Sequence, residues 1–204
     1  MTGVRRSATV MKKISKAEPE PPNGSLQVTA RGSALETLLA NLSSTIVNTP
    51  FTELDHRIED ALRRLVEVLD VDRAAFGEIA DNGTVMLTHF YVLPGVPTCP
   101  RTITDRQMPW WSDRVRRGDI MALTRLPDDL PLEAAAERDH CTNDGIRSHL
   151  AIPISVGGAV LCILTFVSIR REQNWPPALI SRLRLLGEVF ANAVARRRIT
   201  ATFQ

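Results

Sequence analysis

Four histidines and three cysteines carry most of the chemistry open to this chain of 204 residues. His56, His89, His140 and His149 show no spacing that closes a zinc site. His56 precedes Arg57-Ile58-Glu59, which is not the metalloprotease pattern. Ser148 and His149 are neighbours in a strand-like run, so their side chains point to opposite faces and do not form a nucleophile–base pair. His140 and Cys141 diverge by about 100° on a helix. No glycine-rich loop is followed by Lys-Ser or Lys-Thr, so a phosphate-cradling loop is absent. Cys99, Cys141 and Cys162 lie far apart with no Cys-x-x-Cys pair, the usage of reduced thiols in a cytoplasmic protein.

These side chains need elements to position them. Ser33, with Glu36 three residues on, has the capping-box pattern, and Leu35, Leu38, Leu39, Leu42 and Ile46 follow helical spacing. Asn48-Thr49-Pro50 ends that helix. A second helix is expected from Thr52 to Asp70, with Ile58, Ala61, Leu62, Leu65, Val66 and Leu69 as its apolar stripe. From Asp72 the period changes. Arg73 to Ile79 and Val85 to Val92 read as strands around an Asp81-Asn82-Gly83 turn. A long loop opens at Pro94. Pro109 to Arg117 reads as a short helix carrying Trp110 and Trp111, Asp119 to Leu123 as a strand, and Leu130 to His140 as a helix.

Arg147 to Val156 and Ala159 to Ile169 are two further strands, joined by Gly157-Gly158. Val160 to Val167 is apolar at nearly every position, as a strand buried on both faces requires. Pro153 must sit at a bulge or an edge, because it donates nothing to a ladder. Trp175-Pro176-Pro177 opens a last helix that runs to about Arg198. The order α-α-β-β-α-β-α-β-β-α predicts an α+β fold with a mostly antiparallel sheet.

Composition bounds the function. Apolar residues make up 44% and charged residues 24%, which excludes collagen, wholesale disorder and a disulfide miniprotein. A net charge of +2 gives no basis for a nucleic-acid partner. Six Lys/Arg against two Glu fall within residues 1–31, so the basic character lives at the N-terminus. Residues 1–32 are expected to form a disordered, Pro-containing tail, 33–199 a single domain and 200–204 its end. No apolar run reaches a membrane-spanning length, and no apolar stretch follows the early basic residues as a secretory signal requires.

The last helix is broadly apolar. Leu179, Ile180, Leu183, Leu186, Phe190, Ala193 and Val194 cover one face, and Leu185 and Val189 widen it. Two coverings serve the extra surface: the chain's own first helix, or the same helices of a second copy. The second is an isologous homodimer with Leu38, Leu42, Leu185 and Val189 at the interface. Arg196, Arg197 and Arg198 suit a helix C-terminus without a ligand.

Several segments together resemble a GAF domain. Leu62 to Phe76 (LRRLVEVLDVDRAAF) is similar to the family's helix running into its first strand. Asn143 to Ile154 (NDGIRSHLAIPI) resembles its helix-to-strand passage, and Val156 to Leu161 (VGGAVL) the hairpin that follows. Arg182 to Ala195 (RLRLLGEVFANAVA), after Trp175-Pro-Pro, resembles the subgroup fused to sensor histidine kinases and enhancer-binding transcription activators. The resemblance spans about 34–198. It implies a sheet ordered 2-1-5-4-3, terminal helices on one face, and a small-molecule pocket under the middle insertion on the other.

The implied role is a non-enzymatic sensor in two-component-type signalling. It would bind an unidentified small molecule as a homodimer and signal through its terminal helices. No output domain follows Arg198, so the output is expected in trans, for example a histidine kinase, unless the chain is a fragment. On the implied fold the pocket residues are Phe76, His89, Trp111, His149 and Thr165. If both histidines face one cavity, the ligand is anionic or a polar aromatic.

Relatives with other chemistry fit less well. His140-Cys141 before Asn143 has neither the order nor the spacing of a bilin attachment site. The Asn-Lys…Phe…Asp-Glu set of the cyclic-nucleotide binders is absent. Free methionine-sulfoxide reductases resemble GAF domains too, and Cys141 with Cys99 as resolving thiol keeps that alternative open, with Cys162 as a core residue. A pure dimerisation module with a vestigial pocket is the third reading. No cofactor or metal is named by the residues.

Overall fold

The computed structural model describes residues 23–202, with side chains over 32–199. The chain runs α1 (Asn23–Asn48), α2 (Leu54–Leu69), β1 (Arg73–Ile79), β2 (Val85–Val92), β3 (Thr102–Ile103), α3 (Pro109–Arg117), β4 (Met121–Leu123), α4 (Ala135–Asp144), β5 (Ser148–Val156), β6 (Ala159–Ser168) and α5 (Pro177–Thr202). The strands form one six-stranded sheet in the order β3-β2-β1-β6-β5-β4, and every pairing is antiparallel. This is the expected α+β order with one added edge strand. β3 is two residues long and pairs only with Val85 and Met86, too short for a periodicity to mark it.

The elements sort by the period of a strand. In β1, β5 and β6 even-numbered residues face one side and odd-numbered residues the other. Ala74, Phe76, Leu150, Ile152, Leu164 and Phe166 join a core with α1, α2 and α5. Ala75, Ala151 and Ile163 join a second core with Trp111 and Val115 of α3. Gly187 lets α5 settle closely on β5, because a Cβ there would stand 2.7 Å from Ile154 Cδ1. Pro153 lies past the last β4–β5 pair, Met121 with Ala151, where β5 has become an edge.

Three expectations are corrected. α1 begins at Asn23, so Ser33 and Glu36 sit inside a continuing helix rather than at its cap. The expected disorder therefore does not hold over 23–32, and residues 1–22 lie outside the described residues. α4 spans Ala135–Asp144 instead of starting at Leu130; Leu130 and Ala134 instead close turns onto Pro127 and Pro131. Leu38 and Leu42 do not lie open for a partner. They are buried with Leu183 and Phe190, so the chain's own first helix covers α5. Val189 is packed partly against the same core, whereas Leu185 is 63% exposed. Among the described residues no helix is long and apolar enough to cross a membrane.

One buried carboxylate ties the start of the sheet to the run into α5. Asp72 is 1% exposed. It accepts the Ile169 N–H at 2.6 Å and the Arg170 N–H at 3.0 Å, and the Arg170 guanidinium binds its other oxygen. Burial alone would raise its pKa, but the two N–H groups and Arg170 outweigh that and hold it below the ordinary Asp value. A depressed carboxylate stabilises the fold above the unfolded pKa, and that contribution is lost as pH falls through the folded value. Asp72→Asn is expected to cost about 2–3 kcal/mol at neutral pH. In urea titrations the gap between variant and wild type closes progressively below about pH 4. Equal urea midpoints at pH 7 would remove Asp72 from this role.

Candidate ligand-binding site

The insertion between β2 and β5 folds over the odd-numbered face and encloses a cavity of about 70 Å³. Arg73, Ala75, His149 and Thr165 line it from the sheet. Trp110 and Trp111 of α3, and Glu137, His140 and Cys141 of α4, line it from the insertion, with Cys99 in the loop. Pro109 starts α3 with the fixed φ a first helical turn needs, which sets both tryptophans in that turn. Glu137 reaches from α4 and accepts the backbone N–H of Trp111 at 3.1 Å. That bond joins the two insertion helices across the cavity and satisfies a helix-terminal donor left without an intrahelical partner.

Trp111, His149 and Thr165 come together at this cavity. Phe76 and His89 do not. The β1–β2 register sets Phe76 opposite His89, so both fall on the helical face. Phe76 packs edge-on against Phe190, with ring centroids 5.6 Å apart. His89 Nε2 lies 2.8 Å from Asp55 Oδ1, and Arg197 also binds that oxygen at 2.5 Å. His89 is thus a satisfied core histidine. The two histidines lie on opposite faces, and the anionic ligand expected from their convergence loses that support. Ser148 and His149 diverge as strand geometry requires: Ser148 Oγ donates to Thr124 O at 2.6 Å, away from the cavity.

His149 stacks on Trp111 at 6.3 Å with 15° between the rings. Removal from water, with His140 and Arg73 adding repulsion, pushes its pKa down to about 4. It is therefore a neutral imidazole at physiological pH. The thiols move the other way. Burial, with Glu137 and Asp144 nearby, lifts Cys141 to about 11. Burial also raises Cys99 at the cavity, and lifts Cys162, in the helical core, to about 11.

The cavity is where hydrogen bonding is incomplete. Among the described residues six buried side-chain polar atoms lack a partner. Five of them, Arg73 Nε and Nη2, Trp110 Nε1, Trp111 Nε1 and Glu137 Oε2, belong to residues that line this cavity. Arg73 is 3% exposed, and its nearest counter-charge is Asp144, 3.7 Å from Nη1. The third tryptophan, away from the cavity, is satisfied: Trp175 Nε1 donates to Leu123 O at 3.2 Å.

Arg73, Trp110 and Glu137 are the site residues that sequence reasoning passed over. A charged residue opening an otherwise apolar strand was the available signal for Arg73. Nothing in the sequence separates Glu137 from the exposed acids around it. In an NMR titration of the imidazole nitrogens, His149 is expected to stay neutral to below pH 5 and titrate near 4. A midpoint near 6.5 would place it in water instead.

The GAF domain family model matches residues 53–197. No match was found among curated proteins. Solved structures share the fold at low identity. The phycoerythrobilin-bound GAF domain of a cyanobacterial phytochrome aligns with a TM-score of 0.65 at 12% identity, covering 81% of this chain and 97% of that one. The GAF domain of a phosphoenolpyruvate-protein phosphotransferase from Coxiella burnetii gives 0.65 at 18%, covering 81% and 95%. The free methionine-R-sulfoxide reductase of Neisseria meningitidis gives 0.63 at 14%, covering 80% and 89%. With the matched span taking in the sheet, the insertion over the cavity and both flanking helices, this chain belongs to the GAF family.

Proposed function

We propose that this GAF domain is a non-enzymatic sensor that binds a small molecule in the cavity beneath α3 and α4. The observation that carries the reading is that five unpaired buried polar atoms belong to residues lining one cavity. Each such atom costs about 1–3 kcal/mol when left without a partner. A ligand that bonds to them recovers that cost on binding; a vestigial pocket would more readily fill with apolar side chains.

Two other chemistries are less well supported. A thiol-dependent reductase needs a thiolate, and both cavity cysteines are held as thiols, Cys141 with a pKa of about 11. The phytochrome relative carries phycoerythrobilin. A cavity of about 70 Å³ is less than half the roughly 150 Å³ that holds a benzene, so a bilin is far too large for it.

Output runs through the helical face to a signalling partner such as a histidine kinase. β6 supports this route, because Thr165 and Val167 line the cavity while Leu164 and Phe166 touch the helical core. Self-association completes the proposal, carried now by the exposed Leu185 alone of the four residues first considered.

Native mass spectrometry of the freshly purified chain is expected to show an added small mass that disappears on denaturation. A clean mass, together with no thermal shift from a metabolite extract, would favour the vestigial pocket. Leu185→Glu is expected to convert a dimer to a folded monomer in light-scattering chromatography. A variant that stays dimeric would move the interface elsewhere.

A further inference from the structure

The identities of the unpaired atoms specify a ligand class, an inference that rests on the sensor reading above. Arg73 Nη1 is turned toward Asp144, and the two unpaired nitrogens, Nε and Nη2, form one edge of the guanidinium. Such an edge offers two parallel N–H donors, spaced for the two oxygens of a carboxylate. The indole N–H groups of Trp110 and Trp111 add two more donors. Against these stands one acceptor. Glu137 Oε1 is occupied by the Trp111 N–H, and Oε2 is unpaired in a residue that is 4% exposed. The complement is a molecule with a carboxylate and a hydrogen-bond donor.

Size places the two groups close together. A cavity of less than half the volume that holds benzene leaves the donor within a bond or two of the carboxylate. Charge excludes the main competitor. A phosphate would bring two negative charges beside the buried Glu137, with only Arg73 to balance them. We propose that the cavity binds a small α-substituted carboxylic acid, an α-amino or α-hydroxy acid, with its carboxylate on Arg73 and its ammonium or hydroxyl on Glu137.

Calorimetry on the full chain with four matched probes tests this: alanine, lactate, propionate and alaninamide. Alanine or lactate is expected to bind at least about tenfold more tightly than propionate, the worth of one hydrogen bond to a buried charged group. Alaninamide, which lacks the carboxylate, is expected not to bind. Glu137→Gln keeps an oxygen for the Trp111 N–H and replaces the unpaired acceptor with a donor. In a folded Glu137→Gln protein, checked by its melting curve, the preference over propionate is expected to disappear. Arg73→Met is expected to abolish binding of alanine, lactate and propionate.

Propionate binding as well as alanine and lactate, or alaninamide binding at all, overturns the assignment. So does a Glu137→Gln variant with unchanged preference. If none of the probes binds while native mass spectrometry still shows an added mass, the ligand class is wrong and the sensor reading stands. If the added mass is missing too, both fall.

Discussion

The strict alternation of side chains across a sheet buried on both faces governs the rest of this molecule. In β1, β5 and β6 a shift of one residue exchanges the helical core for the cavity. Phe76 therefore meets Phe190 of α5, while Ala75, its neighbour, faces the cavity. Leu164 and Thr165 divide in the same way. A sheet covered on one face needs polar residues on the other; here helices cover one face and the insertion covers the other, so β6 can be apolar almost throughout. The same arrangement puts the cavity face and the helical face one strand thickness apart.

The two faces are completed differently. On the helical side the polar groups find partners: His89 meets Asp55, Asp55 meets Arg197, and Asp72 gathers the N–H groups at the end of β6. On the cavity side a guanidinium edge, two indoles and a carboxylate oxygen are buried without them. The adjacent residues Asp72 and Arg73 show the contrast best. Both are charged and almost fully buried, yet Asp72 is saturated and Arg73 is not. Burying polar groups without partners is costly, and among the described residues that cost gathers on the cavity side.

The shared fold leaves the chemistry of the pocket open. The relatives include a bilin-bound photoreceptor domain and a methionine-sulfoxide reductase, and the same sheet and helices serve both. What distinguishes this chain is local: a cavity closed down by two tryptophans, thiols held protonated by burial, and an imidazole kept neutral against Trp111.

By itself the sequence determined the order of the main elements, the antiparallel sheet, the Gly157-Gly158 hairpin and the family. These rest on interactions between near neighbours, where a period of two or 3.6 and the demands of a turn are written in consecutive residues. Of the residues it singled out, Trp111, His149 and Thr165 lie on the cavity face. Phe76 and His89 went to the wrong one because an apolar neighbourhood marks burial without saying on which side of a sheet. Only strand register against β2 and β6 decides that. Leu38 and Leu42 failed similarly, since an amphipathic helix does not say whether its own chain or another copy covers it. Arg73 and Glu137 became visible only in the tertiary structure. An unpaired polar atom is defined by everything that surrounds it, and the groups that line this cavity come from eight elements spread between residues 73 and 167.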